Sequence, residues 1–210
     1  MHFAPLRDIF RFSIVIKRSF DILVSSLGLL ACLPLFCVIA ILIKLDSKGQ
    51  VFFLQERIGR RFRPFWIYKF RTMARNSHLK GAQITADNDT RITRVGRFLR
   101  KTKIDELPQL FNVLKGDMSL VGPRPEVPYY VLMFRNDYEE ILRVQPGITD
   151  LASLKYRNEA ALLAQSVNPE REYVEKVLPD KITLAKEYVH KSSFFFDLTL
   201  ILKTPLRLFS

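Results

Sequence analysis

From Ile22 to Ile43 the chain runs 22 residues without a charged side chain. As a straight helix such a stretch measures roughly 33 Å, about the thickness of a bilayer's hydrocarbon core. A membrane-spanning helix is therefore the default reading. The run is too long for the apolar part of a signal peptide, starts too far into the chain and lacks a small-residue cleavage site. Two details argue against simple spanning. Pro34 lies near the middle, where it removes one backbone hydrogen bond and disfavours helix at Leu33. Basic residues flank both ends, Arg7, Arg11, Lys17 and Arg18 before and Lys44, Lys48 and Arg57 after, as they would if both ends stayed on the cytoplasmic side. A kinked spanning helix and a bent, re-entrant one both fit these residues.

The rest of the 210 residues suffices for one compact domain with a real core. A net charge of +12 and a pI near 9.9 call for an anionic partner. Nucleic acid, an acidic membrane surface and a phosphorylated substrate all qualify, and composition does not choose among them. Cys32 and Cys37 both lie inside the apolar run, without zinc-ligand spacing, and read as small apolar side chains. A chain otherwise free of cysteine fits a reducing compartment.

The charge is unevenly placed. Between Arg57 and Lys103 stand fourteen Lys or Arg residues and two acids, Asp87 and Asp89, and directly behind them come Asp105 and Glu106. Cations ending in an acidic pair suit chemistry on an anionic substrate: the cations hold phosphates, one carboxylate attacks or abstracts, and the other can hold a divalent metal. Leu107, Leu110, Phe111 and Leu114 fall at i, i+3, i+4 and i+7, which predicts an amphipathic helix ended by Gly116. The acidic pair then sits at the helix's first turn, where it also complements the helix dipole. Arg91, Arg94, Arg97 and Arg100 recur every three residues and predict a helix with a basic stripe. Gly122-Pro123-Arg124-Pro125 fixes an arginine between two prolines, ready for a bidentate phosphate contact.

Elsewhere, residues 1–19 mix aromatics and bases as an interfacial helix does. Val51–Leu54 and Pro64–Phe70 read as a short hairpin, and 74–90 as a polar loop. One helix is expected from Glu126 to Val144, then a turn at Pro146-Gly147. A helix starts at Asn168-Pro169, and an interfacial helix is expected from Phe194.

These residues resemble the bacterial sugar transferases known as monotopic phosphoglycosyl transferases. The similarity runs from about Lys17 to Gly147 and is weaker beyond. It is carried by Lys17-Arg18-Ser19-Phe20-Asp21, Lys69-Phe70-Arg71-Thr72-Met73, Val95 to Arg100, Asp105 to Leu110, Asn112 to Ser119, Gly122 to Pro125 and Pro146-Gly147-Ile148-Thr149, in shared order and spacing. The resemblance implies an α+β, mainly helical chain. Residues 1–48 would form an interfacial segment and a re-entrant membrane helix broken at Pro34. Residues 49–210 would form a short hairpin and a compact cytosolic catalytic domain with interfacial amphipathic helices, at the bacterial inner membrane.

The implied reaction moves a sugar 1-phosphate from a nucleotide diphosphate sugar, a UDP-sugar by family expectation, onto polyprenol phosphate. Asp105 would be the nucleophile that forms a covalent phosphosugar intermediate, and Glu106 would bind Mg2+. Arg100 and Arg124, with Lys69 and Arg71, would hold phosphate oxygens. Two departures stand out: Leu33 precedes the proline where some members have serine, and Asp150, Ser153 and Tyr156-Arg157-Asn158 replace the family's usual continuation. That divergent segment is expected to meet the nucleotide or sugar. Membrane lipids are expected partners and nucleic acid is not; a homodimer is compatible with the sequence. The competing readings are a membrane-tethered nucleic-acid-binding protein, which leaves Asp105 and Glu106 without a role, and a non-catalytic scaffold.

Overall fold

The computed structural model describes residues 5–74 and 89–209, with side chains from 15 to 74 and 89 to 204. The loop expected at 74–90 falls almost wholly outside the described residues, as do the aromatic and basic side chains before residue 15.

Helix α1 spans Pro5–Asp46 and takes in the whole apolar run. It continues through Pro34, so the break expected there is not a gap in the helix. A proline inside a helix costs about 3 kcal/mol or more, and α1 is held on both sides of it by contacts along one face. Arg18 donates to the carbonyls of Val113 and Leu114 at 2.6 and 2.8 Å. Asp21 accepts from the Leu120 amide at 3.1 Å. Ser25 is fully buried, and Gly28 lies against Leu110. Beyond the proline, Phe36 packs edge-on to Phe70 with ring centroids 5.0 Å apart, Ile39 and Ile43 join a core with Phe70 and Leu99, and Asp46 accepts from the Val95 amide at 3.0 Å. Steps of three and four residues along this series make one helical stripe. The opposite faces leave Leu23, Leu27, Leu30, Leu33, Val38, Ile41 and Leu45 exposed. Only 17% of the apolar stretch is buried, which separates α1 from the core helix of a soluble protein.

Strands β1 (Phe52–Ile58) and β2 (Pro64–Phe70) form the expected antiparallel hairpin, with Phe53 opposite Lys69 and Arg57 opposite Phe65. Alternation buries Phe65 and Ile67 and places Lys69 on that same inner face. Helix α2 (Arg94–Thr102) is capped by Thr93, whose side chain accepts from the Gly96 amide. Helix α3 (Gln109–Lys115) ends at Gly116 with φ 90°, the left-handed stop that the sequence predicts.

The stretch expected to be one helix from Glu126 is two, α4 (Pro128–Met133) and α5 (Arg135–Ile141), interrupted at Phe134, whose φ −113° and ψ 37° are not helical. Between α3 and α4 lies β3 (Ser119–Val121). It pairs in parallel with β4 (Gly147–Thr149), where the sequence suggests only a turn. Gly122 and Gly147 make this possible: a Cβ on Gly147 would overlap the Gly122 amide nitrogen, and one on Gly122 the Gln145 carbonyl.

Short helices α6 (Leu151–Lys155), α7 (Glu159–Ala164) and α8 (Pro169–Glu172) follow, the last capped by Asn168 as expected. A π-helical turn at Tyr173–Val177 leads into α9 (Leu178–Lys191), and α10 spans Phe194–Phe209. One apolar core gathers α4, α5, α7 and α9; another joins β2, α3, β3 and α10 to the start of α1. Lys17 of α1 reaches the Val121 carbonyl at 3.0 Å and forms an ion pair with Asp197 of α10, which also accepts from the Tyr188 hydroxyl at 2.7 Å.

Candidate active site

Asp105 and Glu106 sit in a single 3-10 turn, Ile104–Glu106, between α2 and α3, rather than within the first turn of α3. Lys103 turns the chain between them in the left-handed region, φ 59°, a conformation that costs a non-glycine residue about 1–2 kcal/mol.

The two neighbouring carboxylates meet opposite fates. Glu106 Oε1 accepts from Lys69 Nζ at 2.9 Å and from Arg124 Nη2. Burial works against its charge, but Arg124 and Lys69 outweigh it and hold Glu106 well below the usual carboxylate range. Arg124 is correspondingly raised, chiefly by Glu106. Lys69 is lowered, because its burial outweighs the pull of Glu106.

Asp105 is only 8% exposed, and its Oδ1 has no hydrogen-bond partner. Burial, and then the adjacent Glu106 charge, push it up to about 6. Lys69, Arg100 and Lys103 pull the other way. Near neutral pH this leaves a carboxylate that is ionised, unusually basic and not quenched by a bonded cation, which is what a nucleophile requires.

Several elements converge on the pair. Strand alternation aims Lys69 inward, and Asn112 fastens β2 to α3 by accepting from the Tyr68 amide at 3.0 Å and donating to the Trp66 carbonyl at 2.7 Å. The Pro-Arg-Pro loop is set by the β3–β4 pair: the Gly122 amide donates to Thr149 O at 3.1 Å and the Gly147 amide to Pro123 O at 3.0 Å. Glu126 locks its far side, accepting from Arg57 at 2.9 Å and from the Tyr173 hydroxyl at 2.6 Å.

Of the residues singled out from sequence, the structure therefore brings Asp105, Glu106, Lys69 and Arg124 together. Arg100 lies within electrostatic reach of Asp105 and donates to Thr72 Oγ1 at 2.9 Å. Arg71 Nη2 donates to Ser47 O and Oγ at 2.6 and 2.9 Å and to Ile43 O at 3.3 Å, closing the C-terminal end of α1, while its Nε and Nη1 have no hydrogen-bond partner among the described residues. Asp150 is 2% exposed, which removes its carboxylate from direct contact with a sugar. Asn112, which opens one of the family motifs, and Glu126, which no motif flagged, carry the scaffold.

Three of the fourteen bases are paired within the domain: Arg57 with Glu126, Lys69 with Glu106, Arg91 with Asp89. Among the described residues no three His, Cys, Asp or Glu cluster as a metal cage. Glu106, a single ionised carboxylate, fits a magnesium ion that would be held mainly by water and substrate phosphates.

A profile of the bacterial sugar transferase family matches residues 12–210. Over 194 residues the chain is 41% identical to the UDP-N-acetylgalactosamine-undecaprenyl-phosphate N-acetylgalactosaminephosphotransferase of Aeromonas hydrophila, covering 90% of this chain and 42% of that protein. It is 37% identical over 205 residues to the UDP-glucose:undecaprenyl-phosphate glucose-1-phosphate transferase of Escherichia coli K12, covering 96% and 41%. It is 35% identical over 207 residues to the exopolysaccharide production protein ExoY of Rhizobium meliloti, covering 90% and 83%. The chain thus spans about two fifths of the length of the first two of these relatives and most of the third.

Proposed function

The chain belongs to the bacterial sugar transferase family, and on that premise we propose that it transfers a sugar 1-phosphate from a nucleotide diphosphate sugar to polyprenol phosphate. The observation that carries the reading is the division of labour in the acidic pair: Glu106 is doubly bonded by cations, while Asp105 is buried and raised, with its Oδ1 unpartnered among the described residues.

Asp105 Oδ1 attacks the phosphorus that bears the sugar, and the nucleoside monophosphate leaves with the electrons of the broken P–O bond. An oxygen of polyprenol phosphate then attacks the same phosphorus, frees Asp105 and yields the polyprenol diphosphate sugar. Arg124, with Arg100, holds diphosphate oxygens through charge-assisted bonds. Lys69 keeps Glu106 in place and favours the ionised form of Asp105. Glu106 would hold a magnesium ion together with the substrate's phosphates, and the ion would supply positive charge to offset that of the diphosphate.

The lipid acceptor sets where the site must lie. Lys17 and Arg18 at one end of the apolar run and Asp46 at the other all bond to the same domain. These bonds support a reading in which α1 enters and returns from a single leaflet, with the domain on the cytoplasmic face of the inner membrane.

The test is a donor panel that begins with UDP-N-acetylgalactosamine and UDP-glucose, with purified protein and polyprenol phosphate in detergent or nanodiscs. Uridine monophosphate release and an intact-mass adduct on the peptide holding Asp105 are expected for at least one donor. Retention of full turnover by Asp105→Asn would overturn the mechanism.

A further inference from the structure

We propose that Asp150 is a positioning residue for Arg124: its buried carboxylate fixes the backbone from which the guanidinium reaches Glu106 and a diphosphate oxygen. The inference rests on the transferase reading of the Asp105 site.

The argument begins with donors. Pro123 and Pro125 have no amide hydrogen, so Arg124 owns the one backbone N–H in the Pro-Arg-Pro stretch. That N–H donates to Asp150 Oδ2 at 3.0 Å. The other carboxylate oxygen, Oδ1, accepts from the Ser153 amide at 2.7 Å and caps α6. One buried side chain thus clamps the loop and starts the next helix. Its charge also faces Arg124, where it favours the cationic guanidinium and helps offset the cost of burying it.

A guanidinium binds phosphate through a planar fork whose geometry follows its backbone. A displacement of about 1 Å in a catalytic group can cost on the order of 100-fold in rate. The divergent segment after Pro146-Gly147-Ile148-Thr149 is therefore tied to the active site through Arg124 rather than through the sugar.

The cap and the clamp are separable. Serine is as good an N-cap as aspartate, but its single hydroxyl on a shorter arm does not bond Ser153 and Arg124 together. For Asp150→Ser we expect a melting temperature close to wild type, kcat lowered by about tenfold or more, and a smaller change in donor KM. Asp150→Ala removes both functions and is expected to lose stability as well. Asp150→Asn keeps the shape and one acceptor, and is expected to restore much of kcat.

A second measurement does not depend on turnover. Phenylglyoxal modification of Arg124, mapped by mass spectrometry and normalised to the exposed Arg171, is expected to rise several-fold in Asp150→Ser. The proposal is overturned if Asp150→Ser shows wild-type kcat and wild-type Arg124 reactivity, or if kcat simply tracks melting temperature across the three variants. If Asp150→Ser does not fold, Asp150→Thr, which keeps a capping hydroxyl on the same short arm, carries the same comparison. A wild-type protein that releases no nucleoside monophosphate from any donor sinks the transferase reading instead, while Arg124 reactivity still judges Asp150.

Discussion

At the scale of single residues the site opposes function to stability. A carboxylate raised from 3.8 to about 6 disfavours its own burial by on the order of 3 kcal/mol once ionised. Below pH 3.8 native and unfolded chains both hold the Asp105 proton, and no penalty applies. As pH climbs through 6 the native chain gives up a proton that the unfolded chain lost earlier, and stability falls. Asp105→Asn should therefore abolish turnover yet raise the melting temperature by several degrees at pH 8 in EDTA, with little gain at pH 4. Thermal unfolding at the two pH values checks this, and an equal gain at both would refute it.

The pair itself was legible, because adjacent acids behind fourteen bases are rare enough to stand out. The bonds of Arg71 to Ser47 and Ile43 were not legible, because a basic residue after Lys69-Phe70 looks the same whether it faces phosphate or the carbonyl end of a helix. Asp150 stood out only as a departure from the family pattern and Glu126 not at all, since their task depends on amides and side chains far off in sequence: Arg124 is 26 residues from Asp150, and Tyr173 is 47 from Glu126.

At the scale of elements, what could be read followed periodicity. The alternation and aromatic content of β1 and β2 announced the hairpin, and the spacing of Leu107 to Leu114 announced α3. Strands β3 and β4 have three residues each, too few to show a period of two, and their parallel pairing joins segments that share no local turn. The break between α4 and α5 escaped notice because Phe134 is neither glycine nor proline and nothing local forbids helix there.

The glycines at the β3–β4 crossing are the test at this scale. Gly147→Ala places a Cβ on the backbone of Gly122, where no flexible side chain can yield. We expect a loss of about 3 kcal/mol or more and a fall in both soluble yield and turnover. Circular dichroism melts set against Gly28→Ala check it, since the added methyl there meets only the Leu110 side chain, at 3.3 Å. Equal stability of the two variants would show that the strands separate freely.

At the scale of the molecule, the family resemblance implies that both ends of the apolar helix share one side, and the bonds of Arg18 and Asp46 to the same domain support that proposal. In a background with Cys32 and Cys37 replaced by serine, we expect Ser19→Cys and Lys48→Cys both to resist an impermeant maleimide in intact spheroplasts and both to react after permeabilisation. Labelling of one alone in intact spheroplasts would mean that α1 crosses the bilayer. The ion pair of Lys17 with Asp197 joins residues 180 apart and adds a constraint in time. At bacterial elongation rates the nascent helix emerges on the order of 10–40 s before its counter-charge is synthesised. The apolar segment therefore waits, with an unneutralised ammonium at its edge, until the stretch that carries Asp197 has been made.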